Sequence, residues 1–487
     1  MDFKKLIKSR HPYYNEDTLN NLWHAYWGDA AYAADNITSH RLENDDDLLR
    51  RKRDAVPKTI TRDIIETRVD YLFGPAWAVK STSPVITALV NSCNKSGEGL
   101  WKFARLVTQW AQLYGYAIVG IDAPALPEGV QVRSKRDELA YGVQPYLYYL
   151  DPRDVLDWRA DDDGMLTEFL VREKNIVGSI GQFESSDDAW QTTYRYWTPE
   201  ACTVIDGEGN PIEEYANHTG MVPFVSVQCS AFGDPVFSFG VGESAEKFQR
   251  RVMNLESQLD EILARQTFSQ LVAQGVAEDY GEAGDIKKLG TSSIMIYPEG
   301  ANPPEYISPD AGQAELLRRE REYAEFDAYI VAGLKPPNMK AVQEIPSGIA
   351  LRMEFIKTNQ MLSNVANAIA PALRRALWIA ARMGNKSDTQ PESSIVIDVP
   401  NDFAIVSVDS EIARLDALRT AQASTVIVDA QERNIVAAGW PKDKKLAKDL
   451  ETEQSTPDPE PPQTTAFDAF GMDATEKDQG FLPRDGE

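Results

Sequence analysis

The longest ordered pattern of apolar positions lies between Val241 and Met383. Phe248, Val252, Leu255, Leu259 and Ile262 recur at spacings of 4, 3, 4 and 3, which places them on one seam of a helix packed lengthwise on other helices. Lys247, Arg250, Arg251, Glu256, Asp260 and Glu261 fall between them as a solvated mixture of signs. No proline occurs from Val236 to Tyr297, so the pattern predicts an unbroken helix from Val241 to Gly275, on the order of 50 Å long. Gly281 and Gly284 then lead to a short apolar strand, Ser293 to Tyr297, a turn at Pro298 to Gly300, and a returning strand, Glu305 to Ile307. A second helix follows from about Ala311, with Leu316, Tyr323, Phe326, Ile330 and Leu334 on one face and Pro336 and Pro337 ending it. Lys335 to Gly348 reads as a loop, and Ser347 as an N-cap. Leu351, Phe355, Leu362, Val365, Ile369, Leu373 and Leu377 mark a third helix. Pro371 falls inside that pattern without ending it, which predicts one kinked helix rather than two helices.

The flanks are shorter in period. Leu19, Leu22, Trp23, Tyr26 and Trp27 mark a helix, and Gly28 to Asp47 reads as polar loop. Helices are expected from Thr59 to Phe73, closed by Gly74-Pro75, and from about Gly99 to Tyr114. Beyond Gly115 the period shortens: 117–122 reads as a short buried strand, and 146–150, 166–172 and 191–198 as strands of an antiparallel sheet. Asp161-Asp162-Asp163-Gly164 reads as a hairpin turn, because the alternating ligands and distal glutamate of a calcium loop are missing. A further hairpin turns at Asp206-Gly207. After the third helix come a strand at 394–399, an apolar run at 403–408, and short helices at 410–422 and 430–438. The Pro-rich, acidic stretch from Glu451 cannot bury a core and is expected to be disordered. The fold class is therefore α+β.

A chain of 487 residues that is 43% hydrophobic is large enough for several domains. No apolar run approaches about 18 residues, so no membrane-spanning helix is expected. The charged start, Met1 to Lys5, lacks the apolar core of a secretion signal. Cys93, Cys202 and Cys229 lack metal or redox spacing and read as reduced thiols. The net charge of -25 argues against a protein that grips duplex DNA through Lys and Arg. It is compatible with a conduit whose walls must not grip, although solubility alone accounts for it.

A search for catalytic patterns finds none. There is no G-x-x-x-x-G-K-[ST] loop, which argues against a P-loop ATPase. Gly240-Val241-Gly242 lacks the remaining glycine of a dinucleotide fingerprint and reads as a hinge. His11, His24, His40 and His218 fit no metal spacing, and no G-x-S-x-G elbow occurs. No catalytic, metal or cofactor-binding residue is assigned, and an enzyme is not expected. The tryptophans, Trp23, Trp27, Trp101, Trp110, Trp158, Trp190 and Trp197, read as core rather than as stacking platforms for bases. Lys335 and Lys340 read from the residues alone as solvated loop charges.

Several segments together resemble the portal proteins of tailed bacteriophages. Ile345-Pro-Ser-Gly-Ile-Ala-Leu-Arg352 is similar to the S-G-x-A-L segment that opens the kinked helix of that family. Val69 to Pro75, Tyr114 to Ala117, Pro145-Tyr146 leading to Asp151-Pro152-Arg153-Asp154-Val155-Leu156-Asp157-Trp158, and Met221-Val222-Pro223-Phe224-Val225 are portal-like too. The resemblance spans roughly Val56 to Trp440. It implies a wing over 1–240, a first stem helix over 241–275, a clip over 276–310 and a second stem helix over 311–334. A tunnel loop over 335–348, a kinked helix with wing strands over 349–408, a helical crown over 409–450 and the acidic tail over 451–487 complete the division. The implied protein is a homo-oligomeric ring, usually of twelve copies, at one capsid vertex of the virion, assembled in the host cytoplasm. Double-stranded DNA would pass through it during packaging and ejection. The implied partners are the terminase large subunit, major capsid and scaffold proteins, and head–tail adaptor proteins. Lys335, Lys340 and Glu344 would face the channel, and Gly348 and Pro371 would allow flexing. The alternative from another class is a non-portal virion assembly or scaffold protein built on long packing helices.

Overall fold

The computed structural model describes residues 2–41, 43–124, 144–176, 190–217, 219–230, 233–267, 270–272, 305–307, 311–336, 348–384, 390–400, 403, 412, 415–416, 418–420, 424–439 and 446. The chain divides into two units, 1–404 and 405–487.

The first unit opens with α1 (Phe3–Leu6), α2 (Glu16–Trp27), α3 (Ala30–Asn36) and α4 (Asp45–Asp54). Asn15, Asp29 and Asn44 start the last three by accepting hydrogen bonds from the backbone N–H of Thr18, Tyr32 and Asp47, caps worth about 1 kcal/mol each. The stretch from Gly28 to Asp47, expected as polar loop, therefore contains α3 and the start of α4. Its few apolar residues, Tyr32, Ala33 and Ile37, show no clear period, yet they are buried with Ala25 and Met253 from elsewhere in the chain.

Helices α5 (Ile60–Phe73), α6 (Pro84–Asn91) and α7 (Leu100–Tyr114) follow, with β1 (Ala78–Lys80) between the first two. Next come β2 (Tyr116–Asp122), β3 (Tyr146–Leu150), β4 (Val155–Ala160), β5 (Leu166–Ile176), β6 (Trp190–Trp197), β7 (Ala201–Ile205), β8 (Pro211–Ala216) and β9 (Phe224–Gln228). The single sheet expected from the sequence is two. One is three-stranded in the order β3-β2-β9, and the other is a five-stranded antiparallel meander, β4 to β8. The reason is β2, which is buried at every position from Tyr116 to Ile121 and so needs cover on both faces. Ala117, Val119 and Ile121 pack with the helices. Tyr116 and Ile118, pointing the other way, pack against Val155, Trp158 and Phe169 of the meander. The Asp161–Gly164 hairpin is a turn: the Asp161 carboxylate accepts from the amides of Asp163 and Met165.

Three long helices end the unit's helical layer: α8 (Val241–Thr267), α9 (Ala311–Val331) and α10 (Gly348–Gly384). Helix α8 has 27 residues, about 40 Å, and stops before Gly275. The chain then forms β10 (Gln270–Val272), which pairs with the returning strand β11 (Glu305–Ile307). The expected strand at 293–297 and turn at 298–300 lie outside the described residues. Helix α9 runs antiparallel to α8, Arg251 reaching Glu320 and Arg321 reaching Glu256. The seam between them is built of small side chains: Ala324, Ala328 and Ala332 with Tyr329 meet Ala245 and Val252. This corrects part of the expected face of α9, of which Leu334 is buried. Leu316 and Tyr323 are more than half exposed and Ile330 is exposed, because alanines permit the closer approach to α8. Helix α10 buries Leu362, Val365, Ile369, Leu373 and Leu377 as its spacing predicts. Beyond it, β12 (Val396–Asp398) pairs with β1, a link too distant in sequence to be read from it.

Gly240 and Gly242 are a second correction. They are not a loose hinge but one side of a backbone crossing. Gly115, at φ 93°, ends α7 and lies against Ser238 and Gly240, while Gly242 lies on Leu113. A Cβ at any of the three glycines would come well inside 3.0 Å of backbone atoms. The Ser238 hydroxyl donates to the Gly115 carbonyl at the same point. In the second unit, α11 (Thr425–Gly439) follows Ser424, whose carbonyl accepts from Ile427 and Val428, and Arg419 pairs with Glu432. The tail from Glu451 lies outside the described residues.

Overpacking at the crossing has no side chain to push aside. Gly242→Ala is expected to cost about 3 kcal/mol of unfolding free energy, read from the denaturant midpoint. An unchanged midpoint would mean that the two backbones separate freely.

Candidate functional site

The segment singled out by sequence, 335–348, begins where α9 ends, and that end is built with unusual completeness. Gly333 takes φ 72°, a left-handed conformation that residues with a Cβ adopt at a cost. Its amide donates to the Ile330 carbonyl, and the Leu334 amide reaches back to Tyr329. This is the Schellman pattern, completed by Leu334 packing in the same apolar cluster as Tyr329. Helix α9 thus stops at a glycine, three residues before the prolines expected to end it.

The carbonyls left over at this terminus are taken up from two sides. Arg68 of α5 donates through Nη1 to the Ala332 carbonyl and through Nε to Gln112 of α7. Thr358 of α10 donates its hydroxyl to the Gly333 carbonyl at 2.7 Å. Arg68 is 6% exposed. Burial draws its guanidinium down to about 10, still charged at neutral pH. Burial pushes the Cys229 thiol up to about 12, so it stays neutral. One turn earlier, the Tyr329 hydroxyl donates to the Asp63 carboxylate, and Lys58 bridges Glu256 of α8 and Glu325 of α9 at 3.1 and 3.3 Å.

Lys335 leaves this root exposed to solvent. Lys340 and Glu344 lie outside the described residues. Gly348 is the first residue of α10. Pro371 lies inside α10, which continues through it without a break, although a proline has no N–H for the carbonyl four residues back. Pro371 also lines a half-open cavity of about 320 Å³ with Ala368, Ala372, Arg375, Val225 and Glu392. Glu392 accepts both Arg374 and Arg375, at 3.4 and 3.6 Å.

Sequence reasoning missed Arg68, Thr358 and Gly333. A glycine directly after an apolar helical run is a legible stop signal. Nothing in the sequence marks Arg68 or Thr358, because their partners are backbone carbonyls from distant segments.

Among the described residues, several other polar groups have structural partners. His11 stacks on Trp158 at 3.9 Å and burial holds its pKa below the usual value. His24 bonds Asp29 at 2.7 Å. Burial raises Cys93 to about 12 and Cys202 to about 11, so neither thiol is ionised at neutral pH. Among the described residues no three His, Cys, Asp or Glu side chains converge as metal ligands. No described helix is long and apolar enough to cross a membrane. Trp110 and Trp158 are core, whereas Trp27 is 45% exposed beneath the Arg62 guanidinium.

No protein-family model and no curated protein matches the sequence. Similar solved structures include a chain of the virion of a native gene transfer agent particle, at 13% identity over 89% of this chain and 93% of that one, with a TM-score of 0.39. A chain of the neck of the native particle, computed with C12 symmetry, is 12% identical over 84% of this chain and 92% of that one, at 0.41. A chain of the neck of the empty particle, computed with C6 symmetry, is 12% identical over 80% and 94%, at 0.40.

The geometry at Gly333 carries a direct expectation. Gly333→Ala should lower stability by about 1–2 kcal/mol through its left-handed φ, and Gly333→Asn by less, since asparagine tolerates that region. Thermal unfolding of the two variants separates them; equal losses would place the cost in packing rather than backbone.

Proposed function

We propose that this chain is a portal subunit, forming a ring through which double-stranded DNA enters and leaves a capsid. The observation that carries the reading is the α8–α9 pair. Two antiparallel helices, joined at one end by a β-ribbon, are rooted in an α+β body and followed by the 335–348 segment and a third long helix. That is the order of parts the sequence resemblance implies. Copies of the pair around a closed ring would line the bore. A heterologous interface repeated by cyclic symmetry closes such a ring.

In this reading the insert between α8 and α9 docks the packaging ATPase and later the adaptor proteins, and capsid and scaffold proteins hold the body. The 335–348 segment narrows the bore, with Lys335, Lys340 and Glu344 toward the DNA. The exposed side of α9 carries Glu315, Arg318, Arg319, Glu322 and Asp327, both signs together. Such a wall guides a polyanion without holding it, since each tight phosphate contact would raise the barrier to movement. The protein does no covalent chemistry here, and the work comes from the motor. In this reading Pro371 gives α10 a place to flex.

Native mass spectrometry with negative-stain imaging is the first test. A ring of about twelve copies with an open centre fits the proposal, and a compact dimer without a bore would replace it with an assembly protein. Exchanging Lys335 and Lys340 for Glu should leave the ring formed but reduce packaged or retained DNA; wild-type DNA content would remove the loop from the channel. Pro371→Ala should straighten α10 in a structure of the variant, and an unchanged axis would assign the bend elsewhere or nowhere.

A further inference from the structure

We propose that Arg68 is a positioning residue that, with Thr358 opposite it, clamps the point where the chain leaves the core for the 335–348 segment. Its importance to a channel rests on the reading of that segment given above; the clamp itself rests on geometry alone. The starting point is a charge in an expensive place. Arg68 is buried, and the described residues place no carboxylate within ion-pair distance of it. Both of its described hydrogen-bond partners are neutral oxygens, one a backbone carbonyl and one an amide. An apolar side chain of similar length would fill the same space without the desolvation cost. A core that needed only volume here has no use for a guanidinium.

What the cation does meet is the C-terminus of α9. The carbonyls there carry the partial negative charge of the helix dipole, and Ala332 presents one that the Schellman turn leaves without a partner. The fork geometry of arginine lets one guanidinium hold that carbonyl and Gln112 at once. Gln112 belongs to the last turn of α7, the turn whose end meets Gly240 and Gly242 at the start of α8. One side chain therefore ties the far end of α9 to the structure that sets the direction of α8. Thr358 closes the next carbonyl from the α10 side. Between them, the exit at Lys335 is fixed relative to all three long helices.

The test is hydrogen exchange read by mass spectrometry on the full chain. Arg68→Met should speed exchange of the Gly333, Leu334 and Lys335 amides about tenfold, the loss expected for a hydrogen bond to a charged group. The thermal midpoint should change little, the two acceptors left unpaired offsetting the desolvation that is saved, and protection within α5 and α7 should be retained. Arg68→Lys, which can reach one acceptor but not two, should fall between. Thr358→Val should act on the same amides. Unchanged exchange at 333–335 in Arg68→Met, or uniform loosening of α5 and α7, would make Arg68 a core residue and overturn the clamp. Should Arg68→Met not fold, Thr358→Val decides: unchanged exchange at 333–335 overturns the clamp, and faster exchange confined there supports it. If those amides loosen while the Lys335/Lys340 double substitution leaves DNA retention untouched, the clamp stands and the channel-loop reading falls.

Discussion

The structure depends on a place where two backbones touch with no side chains between them. At Gly115, Gly240 and Gly242 the end of α7 and the start of α8 come as close as peptide groups allow. That contact sets the direction in which α8 departs, and everything joined to α8 inherits it. The helix is then braced by hydrogen bonds as much as by apolar burial. Gln249 is fully buried, donating to the Ala25 carbonyl and accepting from the Thr61 amide. Asn254 donates to the Asn36 carbonyl and accepts from the Thr38 amide. Gln249, buried and matched at both ends, helps to specify a single register, because a slip of one turn would leave it unsatisfied.

Much of this was legible in the sequence, and what was not has physical causes. Helix α10 was clear because a long run of apolar residues keeps one period and one face. The division of the strands into two sheets was not, since the unbroken apolar run along β2 says only that both faces are apolar. It does not say which strands supply the cover. The apolar face of α9 was misread for a related reason. Leu316, Tyr323 and Ile330 are the larger residues and dominate any pattern, yet the alanines at 324, 328 and 332 make the contact. Size marks what can be buried, not what is. The glycine crossing was read as a hinge because glycine serves both freedom and close approach, and only the third dimension tells them apart.

The candidate site was half legible. Composition drew attention to the 335–348 stretch, and Gly333 could have been read as the stop before it. Arg68 could not, because it acts on a carbonyl 264 residues away along the chain and no residue type at its partner's position reports that. Backbone acceptors are invisible to sequence patterns. Sites that depend on them are found only when the fold is in hand.

The alanine seam between α8 and α9 has a mechanical side. Long side chains at a helix interface can change rotamer and let the helices slide, whereas alanine has no rotamers to change. Ala245, Ala324, Ala328 and Ala332 therefore offer no rotamer change to accommodate a slide, and a shift along the pair would also part Arg251–Glu320 and Arg321–Glu256. Any movement of the pair as a unit would have to turn on the crossing of Gly115 with Gly240 and Gly242, where no side chain is present to yield.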